Sequence, residues 1–281
     1  MSGNDDIDAY IASLCGELDR EEDGIWSVRS REPVHYPDEV RTGYAEIEST
    51  SFWFIHRNRC IVSVVRRFAP NGPILDIGGG NGAVALALRR AGYPVIVVEP
   101  GRTGAQVARA RGLPVIRATF SSLGIADGAL MAAGLFDVLE HIEDQAKALA
   151  GVCRALAAGG WLYLTVPALA CLWSSEDNAV GHFRRYTVGS VQRALSETGF
   201  SVAFASYLFS PLVLPILVRR SLPSLFGRIG GRPPKVDEDH RLPDNAIGWC
   251  VGRVLAWEAT RIERGADVPV GSSVVVAARK C

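Results

Sequence analysis

The run Ile74-Leu75-Asp76-Ile77-Gly78-Gly79-Gly80-Asn81-Gly82 constrains this chain more than any other segment. A short apolar strand carrying an acid leads into a glycine-rich turn, and a helix is expected from Ala83-Val84-Ala85-Leu86. Glycine lets a backbone approach a ligand closely, and a helix N-terminus offers unpaired N–H groups. At the carboxyl end of a parallel sheet that combination binds nucleotide-like molecules. An ordinary strand–turn–helix without a ligand fits poorly. Four glycines in the five positions 78–82 weaken packing unless something comes close to them.

The glycines alone leave the ligand open. Gly78-x-Gly80-x-x-Ala83 fits the loose dinucleotide fingerprint, and Glu99 follows at about the distance of a ribose-binding acid. Asp76 separates the alternatives. A carboxylate two residues before the first glycine turns its charge toward a bound pyrophosphate, which is unfavourable. S-adenosylmethionine has no phosphate and carries a sulfonium and an α-ammonium, so the same carboxylate favours it. An NAD-dependent oxidoreductase and a non-catalytic nucleotide-binding scaffold remain as alternatives. Asp76 and Glu99 speak against the scaffold, because a dead site needs neither acid.

The 281 residues accommodate one large α/β domain with an elaboration. With 48% hydrophobic and 21% charged residues, the chain can bury a sizeable core. Thirty basic residues balance thirty acidic ones, so no global field recruits nucleic acid. The six cysteines, at 15, 60, 153, 171, 250 and 281, form no C-x-x-C pair, so neither a zinc cage nor a disulfide framework is expected. Reduced thiols in the cytoplasm are the plain expectation. The acidic N-terminus lacks the apolar core of a secretory signal. No run approaches the roughly 18 apolar residues that a spanning helix needs.

Residues 5–20 read as an amphipathic helix, with Ile7, Tyr10, Ile11, Leu14 and Leu18 at helical spacing. Residues 21–43 read as loop and 50–68 as a second helix, which makes 1–70 a helical cap. From residue 73 strands and helices alternate: strands at 73–77, 94–98, 114–118, 129–136 and 161–166, helices at 82–91, 102–111 and 143–157. This alternation predicts an α/β fold with a doubly wound, mostly parallel sheet. A loop at 168–186 precedes helix 188–198 and strand 200–207, and 272–278 reads as the last strand. Residues 208–268 interrupt the pattern, with an apolar block (Leu208–Val218, broken by Pro211 and Pro215) and a helix at 244–264. The bases Arg219, Arg220, Arg228, Arg232 and Lys235 follow the block. The core is therefore expected over 71–207 and 269–281, and 208–268 as an insert that forms a substrate lid. Binding of the block to a membrane surface is the less favoured reading, because its amphipathic pattern is not clean.

Three segments, in order, resemble class I S-adenosylmethionine-dependent methyltransferases, in their small-molecule branch. Leu75–Gly82 resembles the first motif of that family, Val97-Val98-Glu99 its acidic second motif, and Leu135–Ile142 the segment after its fourth strand. The resemblance implies a Rossmann-like sheet with an antiparallel last strand. It implies that Gly78 and Gly80 line the methionine part of the cofactor and that Glu99 accepts the ribose hydroxyls. It also implies that Thr119 and Phe120 lie near the adenine, and Phe136 and Asp137 against the methionine end. Arg57, in the helix before the first motif, is the first candidate to clamp the cofactor carboxylate, with Arg59 second.

Gly181-His182-Phe183-Arg184-Arg185-Tyr186-Thr187 lies where substrate loops lie in this family. His182 is the candidate general base, its ordinary pKa being near working pH. Trp173, Arg185 and Tyr186 are candidate substrate contacts. Glu140 and His141 form no convincing metal-ligand pattern, so no metal is expected. The chain is thus expected to be an enzyme that methylates a small molecule. Oxygen is slightly favoured as acceptor, in a natural-product or lipid-linked intermediate. The sequence leaves the oligomeric state open.

Overall fold

Strands β3 (Ile74–Ile77) and β4 (Val95–Val98) are buried at every position, the mark of a parallel sheet covered on both faces. The computed structural model describes residues 3–15, 18–28, 47–225 and 242–281. Seven further strands join these two: β1 (Leu18–Arg20), β2 (Trp26–Val28), β5 (Val115–Arg117), β6 (Leu130–Phe136), β7 (Leu156–Pro167), β8 (Phe200–Leu208) and β9 (Ser273–Lys280). Among the described residues they form one sheet of order β1-β2-β5-β4-β3-β6-β7-β9-β8. The pairs from β2 to β7 are parallel, and β9 runs antiparallel to both β7 and β8. This is the doubly wound, mostly parallel sheet expected from the sequence, with helices before it and a helical insert before its last strand.

The register positions the site. Ile77 pairs with Val98, Asp76 with Gly134 and Phe136 with Thr165. The chain therefore leaves β3, β4, β6 and β7 at one edge of the sheet, bringing Gly78, Glu99 and Asp137 together.

Helices α1 (Gly3–Leu14), α5 (Gln145–Ala155) and α7 (Val188–Glu197) cover one face, through Ile11, Leu14, Leu149, Val152, Val191 and Leu195. The other face is covered by α2 (Phe52–Arg67), α3 (Ala83–Arg90), α4 (Arg102–Ala110) and α10 (Ala246–Glu263). Ser51 opens α2 by accepting from the Trp53 N–H, and Asn245 opens α10 by accepting from the Ile247 and Gly248 N–H groups. Gly82 caps α3 at φ 74°, and a Cβ there would lie 2.4 Å from Leu113 Cδ1. Both the backbone angle and the packing require glycine at this position.

Two expectations at the N-terminal end need correction. The helix expected over 5–20 ends at Leu14, and Leu18–Arg20 is instead a strand of a short antiparallel hairpin with Trp26–Val28. Leu18 continues the helical spacing only by coincidence, and Gly16 is a poor residue to carry a helix onward. The hairpin extends the sheet edge, with β2 parallel to β5. Most of the expected 21–43 loop, and Arg228, Arg232 and Lys235, lie outside the described residues.

The insert starts as a broken helix. A 3₁₀ turn (Ser210–Leu212) containing Pro211 passes into α8 (Val213–Ile216), a π stretch (Leu217–Ser221) and α9 (Leu222–Leu225). Pro215 supplies no N–H, and the wider π turn follows it. Its second half, α10, is part of the core. Leu255, Ala259 and Ile262 of α10 share one apolar cluster with Ile61, Val64 and Val65 of α2.

A polar contact reinforces that cluster. Glu258 of α10 is fully buried and accepts from the Phe209 N–H (2.9 Å) and the Ser210 N–H (2.5 Å), and it meets His56 Nε2 at 3.0 Å. Burial pushes its carboxyl up, but the bonds from His56 and Ser210 outweigh this and hold it below the usual 4.5. Glu258→Ala would leave two backbone donors and an imidazole unpaired. It should cost about 3–5 kcal/mol, seen as a lower urea midpoint. Because the folded value is depressed, this contribution is present above the ordinary carboxylate range and is lost as pH falls through the folded value. Acid unfolding of Glu258→Ala should accordingly be less steep than that of the parent protein.

Candidate functional site

Backbone conformation builds the cleft. Gly78, Gly80 and Gly82 all have positive φ, at 71°, 57° and 74°. A Cβ on Gly79 would lie 2.7 Å from Asp76 Oδ2. The Gly78 N–H donates to the Val98 carbonyl at 2.7 Å, so the loop bends across the end of β4. Glu99, directly after β4, accepts from the Gly80 N–H with one oxygen and from the Gly101 N–H with the other, both at 2.8 Å. It thereby ties the glycine loop to the entry of α4. Glu99 is 1% exposed.

Asp76 lines the same cleft. It is 1% exposed, and neither carboxylate oxygen has a hydrogen-bond partner. Burial, with help from the Glu99 charge, pushes its carboxyl up to about 7, against the opposing effect of Arg57. An unpartnered buried acid of this kind suits a ligand that brings positive charge or N–H donors.

Arg57 reaches the opposite wall and pairs with Asp137. Its guanidinium lies 4.6 Å from the Trp53 ring centre and 5.1 Å from that of Phe54. Asp137 follows β6 in the left-handed region, at φ 55°, an uncommon conformation for a residue other than glycine and one typical of functional sites. Phe136 lines the cleft beside it. Thr119 and Phe120 do not; Thr119 Oγ1 accepts from the Ser122 N–H at the start of a 3₁₀ turn.

Two cleft residues escaped the sequence reading. Glu48 and Asn81 both line it, with Asn81 Nδ2 donating to Glu48 Oε1 at 3.2 Å. Arg111 fastens the pair, meeting Glu48 Oε2 at 2.7 Å and donating to the Asn81 carbonyl at 2.8 Å. Asn81 lies within the glycine motif and could have been found from it. Glu48 stands 30 residues earlier in an unpatterned polar stretch and carries no such signal.

The second part of the site is the loop after β7, organised by Asp177 of the short helix α6 (Ser175–Ala179). Asp177 is 1% exposed and accepts from the Ser174 N–H at 2.8 Å and from Arg185 Nε and Nη2 at 2.8 and 3.1 Å. His182 Nδ1 lies 2.8 Å from the same carboxylate. Burial pushes the Asp177 carboxyl up, but the bonds from His182 and Arg185 outweigh it and hold it at about 2. A carboxylate acceptor assigns the proton to Nδ1 and leaves the lone pair of His182 on Nε2.

Two groups converge near that lone pair. Glu140 Oε1 is 3.9 Å from His182 Nε2, and the His141 and His182 rings meet edge to face with centres 4.7 Å apart. Glu140 is 1% exposed and its Oε2 has no hydrogen-bond partner. Burial, together with the Asp137 charge, pushes its carboxyl well above the usual range. The Phe183 N–H donates to the Glu140 carbonyl at 2.8 Å, holding loop and turn together.

The remaining loop candidates have partners within the protein. Arg185 is held by Asp177 and by the Ala168 carbonyl at 3.1 Å. Tyr186 is 3% exposed, and its hydroxyl donates to Gln145 Oε1 at 2.9 Å. Trp173 Nε1 donates to Asn178 Oδ1 at 3.2 Å.

Comparison with solved structures places this architecture among known folds. A possible histamine N-methyltransferase from Thermotoga maritima superposes with a TM-score of 0.54 at 18% identity, covering 87% of this chain and 98% of that one. A phosphoethanolamine N-methyltransferase from Haemonchus contortus gives 0.54 at 17%, covering 88% and 58%. The cyclase SpnF gives 0.55 at 17%, covering 89% and 99%, so the fold by itself does not fix the reaction. In Mycobacterium tuberculosis, a protein described as a probable S-adenosylmethionine-dependent methyltransferase is 25% identical over 174 residues. That match takes in 59% of this chain and 62% of the relative, so the chain spans less than two thirds of the curated relatives it matches. The family profile for methyltransferase domains matches residues 53–203, more than half of the chain and nearly all of the glycine cleft, and the chain belongs to that family.

Proposed function

We propose that the chain transfers a methyl group from S-adenosylmethionine to a small-molecule acceptor, with a hydroxyl oxygen as the favoured nucleophile. Asp76 carries this reading. A buried carboxylate without a donor, in a cleft floored by glycines, favours a cationic cofactor and opposes the pyrophosphate of a dinucleotide. The curated relatives and the family of the chain support the same donor.

S-adenosylmethionine supplies a methyl group made electrophilic by its sulfonium. In this reading Asp76 faces the positive end of the methionine part, while Gly78 and Gly80 give it room. Glu99, at the end of β4, faces the ribose hydroxyls. Arg57 and Asp137 form the methionine end of the cleft. The chain must then hold the acceptor in line and exclude water. The acceptor oxygen bonds to the methyl carbon as the carbon–sulfur bond breaks and its electron pair returns to sulfur. The hydroxyl proton passes to His182 Nε2. Asp177 is a positioning residue; it fixes the imidazole and, staying ionised, stabilises the imidazolium.

Residues 208–225 serve as a wall or lid beside the acceptor loop. Arg220 Nη1 donates to Glu176 Oε2 at 2.5 Å, joining this segment to α6. Leu214 and Val218 are 70% and 58% exposed and offer apolar surface, which supports a partly hydrophobic acceptor such as a natural-product or lipid-linked intermediate. Among the described residues no helix is long and apolar enough to cross a membrane.

Calorimetry tests the donor. S-adenosylmethionine should bind, and Glu99→Ala should weaken it by about 1–3 kcal/mol. Binding of NAD with no binding of S-adenosylmethionine would overturn the proposal. Between pH 5.5 and 7.5 the affinity should rise as Asp76 ionises, by up to about tenfold per pH unit below its value near 7 and levelling above it. Asp76→Asn should flatten that slope. A flat profile in the parent protein would remove Asp76 from the cofactor's charge.

His182→Ala should lower turnover about 100-fold or more while leaving cofactor affinity nearly unchanged. Near-parental turnover would reduce His182 to tethering the loop.

A further inference from the structure

We propose that Glu140, His141 and His182 form a binding site for one divalent transition-metal ion, of the type of Zn²⁺ or Co²⁺. Each residue offers one ligand atom, and the three atoms lie within 4.8 Å of one another. Metal–ligand bonds of about 2.0–2.2 Å let one ion bridge atoms up to about 4 Å apart, so the widest pair must close by roughly 1 Å. His141 and His182 are partly exposed and can supply that movement.

Two independent features indicate a ligand rather than a chance cluster. Glu140 is 1% exposed and its Oε2 has no hydrogen-bond partner, so the fold maintains a buried polar atom that a bound ion would satisfy. Asp177 occupies Nδ1 of His182 at 2.8 Å, which turns the bare Nε2 toward Glu140 Oε1. Two acceptors facing each other at 3.9 Å are too far apart for a hydrogen bond and suitably spaced for an ion. A carboxylate behind a ligating imidazole is the usual support of a metal-bound histidine. Two imidazoles and one carboxylate suit zinc, cobalt or iron better than magnesium or calcium, and they leave coordination positions open.

Ion binding stands independently of the methyl-transfer reading; its role in catalysis rests on that reading. An acceptor hydroxyl at an open position would have its pKa lowered and would release its proton to water. In the loaded protein the ion thus takes over acceptor activation from direct proton removal by His182. The sequence separates these ligands by 41 residues, from His141 to His182, which is why their meeting is not visible in it.

The test uses the full chain with Cys171, Cys250 and Cys281 changed to serine, because these exposed thiols bind zinc themselves. Equilibrium dialysis should show one saturable Zn²⁺, and Co²⁺ should give visible absorption bands. Glu140→Gln and His141→Gln should each weaken binding tenfold or more. Thermal unfolding identifies a variant that fails to fold, and the second variant then decides. Absence of saturable binding, or binding unchanged in a folded variant, would overturn the site. Chelation should lower methyl transfer and added metal restore it. Turnover indifferent to chelation, with the ion still binding, would overturn the catalytic role. Metal binding without any binding of S-adenosylmethionine would count against the methyl-transfer reading and leave the ion site standing.

Discussion

The cleft depends on how one buried carboxylate is divided. Glu99 gives one oxygen to the Gly80 N–H and the other to the Gly101 N–H. Hydrogen bonds to a charged group contribute about 1.5–3 kcal/mol each, more than neutral ones. Those two bonds hold a loop in which Gly78, Gly80 and Gly82 adopt a positive φ that other residues avoid. A loop without side chains has no packing of its own to fix it, so its shape has to be imposed from the end of β4. The parallel register of β3 and β4 makes that reach constant. Glu99 is therefore a structural brace before it can contact any ligand, and a ligand that reaches it meets a preorganised group.

Acids around the two halves of the site are sorted by their neighbours rather than by burial. Asp76, Glu140 and Asp177 are all 1% exposed. Asp76 and Glu140 lack donors on at least one oxygen, and burial raises both. Asp177 is surrounded by a backbone N–H, a guanidinium and an imidazole, and is held at about 2. Desolvation disfavours charge in all three, and only in Asp177 do the supplied hydrogen bonds and the Arg185 charge outweigh it. The fold thus keeps one acid charged for its own architecture and leaves two short of partners. The unsatisfied pair lies where ligands are proposed, the satisfied one where a loop must hold still.

The glycine motif and the alternation of strands and helices were legible because each has a local signature, whereas the antiparallel direction of the last strand came from the family resemblance alone. Val95–Val98 is an unbroken apolar run, Ile74–Ile77 is apolar except for Asp76, and the turns between are marked by glycine. The Leu18–Arg20 and Trp26–Val28 hairpin was not, because three-residue strands are too short for alternation to register. Arg185 and Tyr186 were candidate substrate contacts because their segment lies where substrate loops lie in the resembling family; in the structure Arg185 bonds to Asp177 and Tyr186 to Gln145. Glu258 was not singled out in the sequence, and is fully buried. What escaped in each case was pairing across the chain. Asp177, His182 and Arg185 sit close together in a loop without periodicity, so their spacing carries no signal that they pair.

The insert supports the site. Phe209, at φ 62°, begins it, and its N–H is held by Glu258 of α10. The Phe209 ring stacks on Trp53 with centres 5.4 Å apart and planes 3° from parallel. Trp53 in turn carries the Arg57 guanidinium, and Arg57 pairs with Asp137 in the cleft. One turn along α2 from Trp53, His56 meets the same Glu258 carboxylate. A contiguous series of packed rings and ion pairs therefore runs from α10 to the Arg57–Asp137 pair in the cleft. A left-handed Phe209 is strained, and the two buried N–H bonds to Glu258 offset that strain. The segment between β8 and β9 is long in this chain because α10 sets the position of the helix that carries Arg57, in addition to any wall it forms for the acceptor.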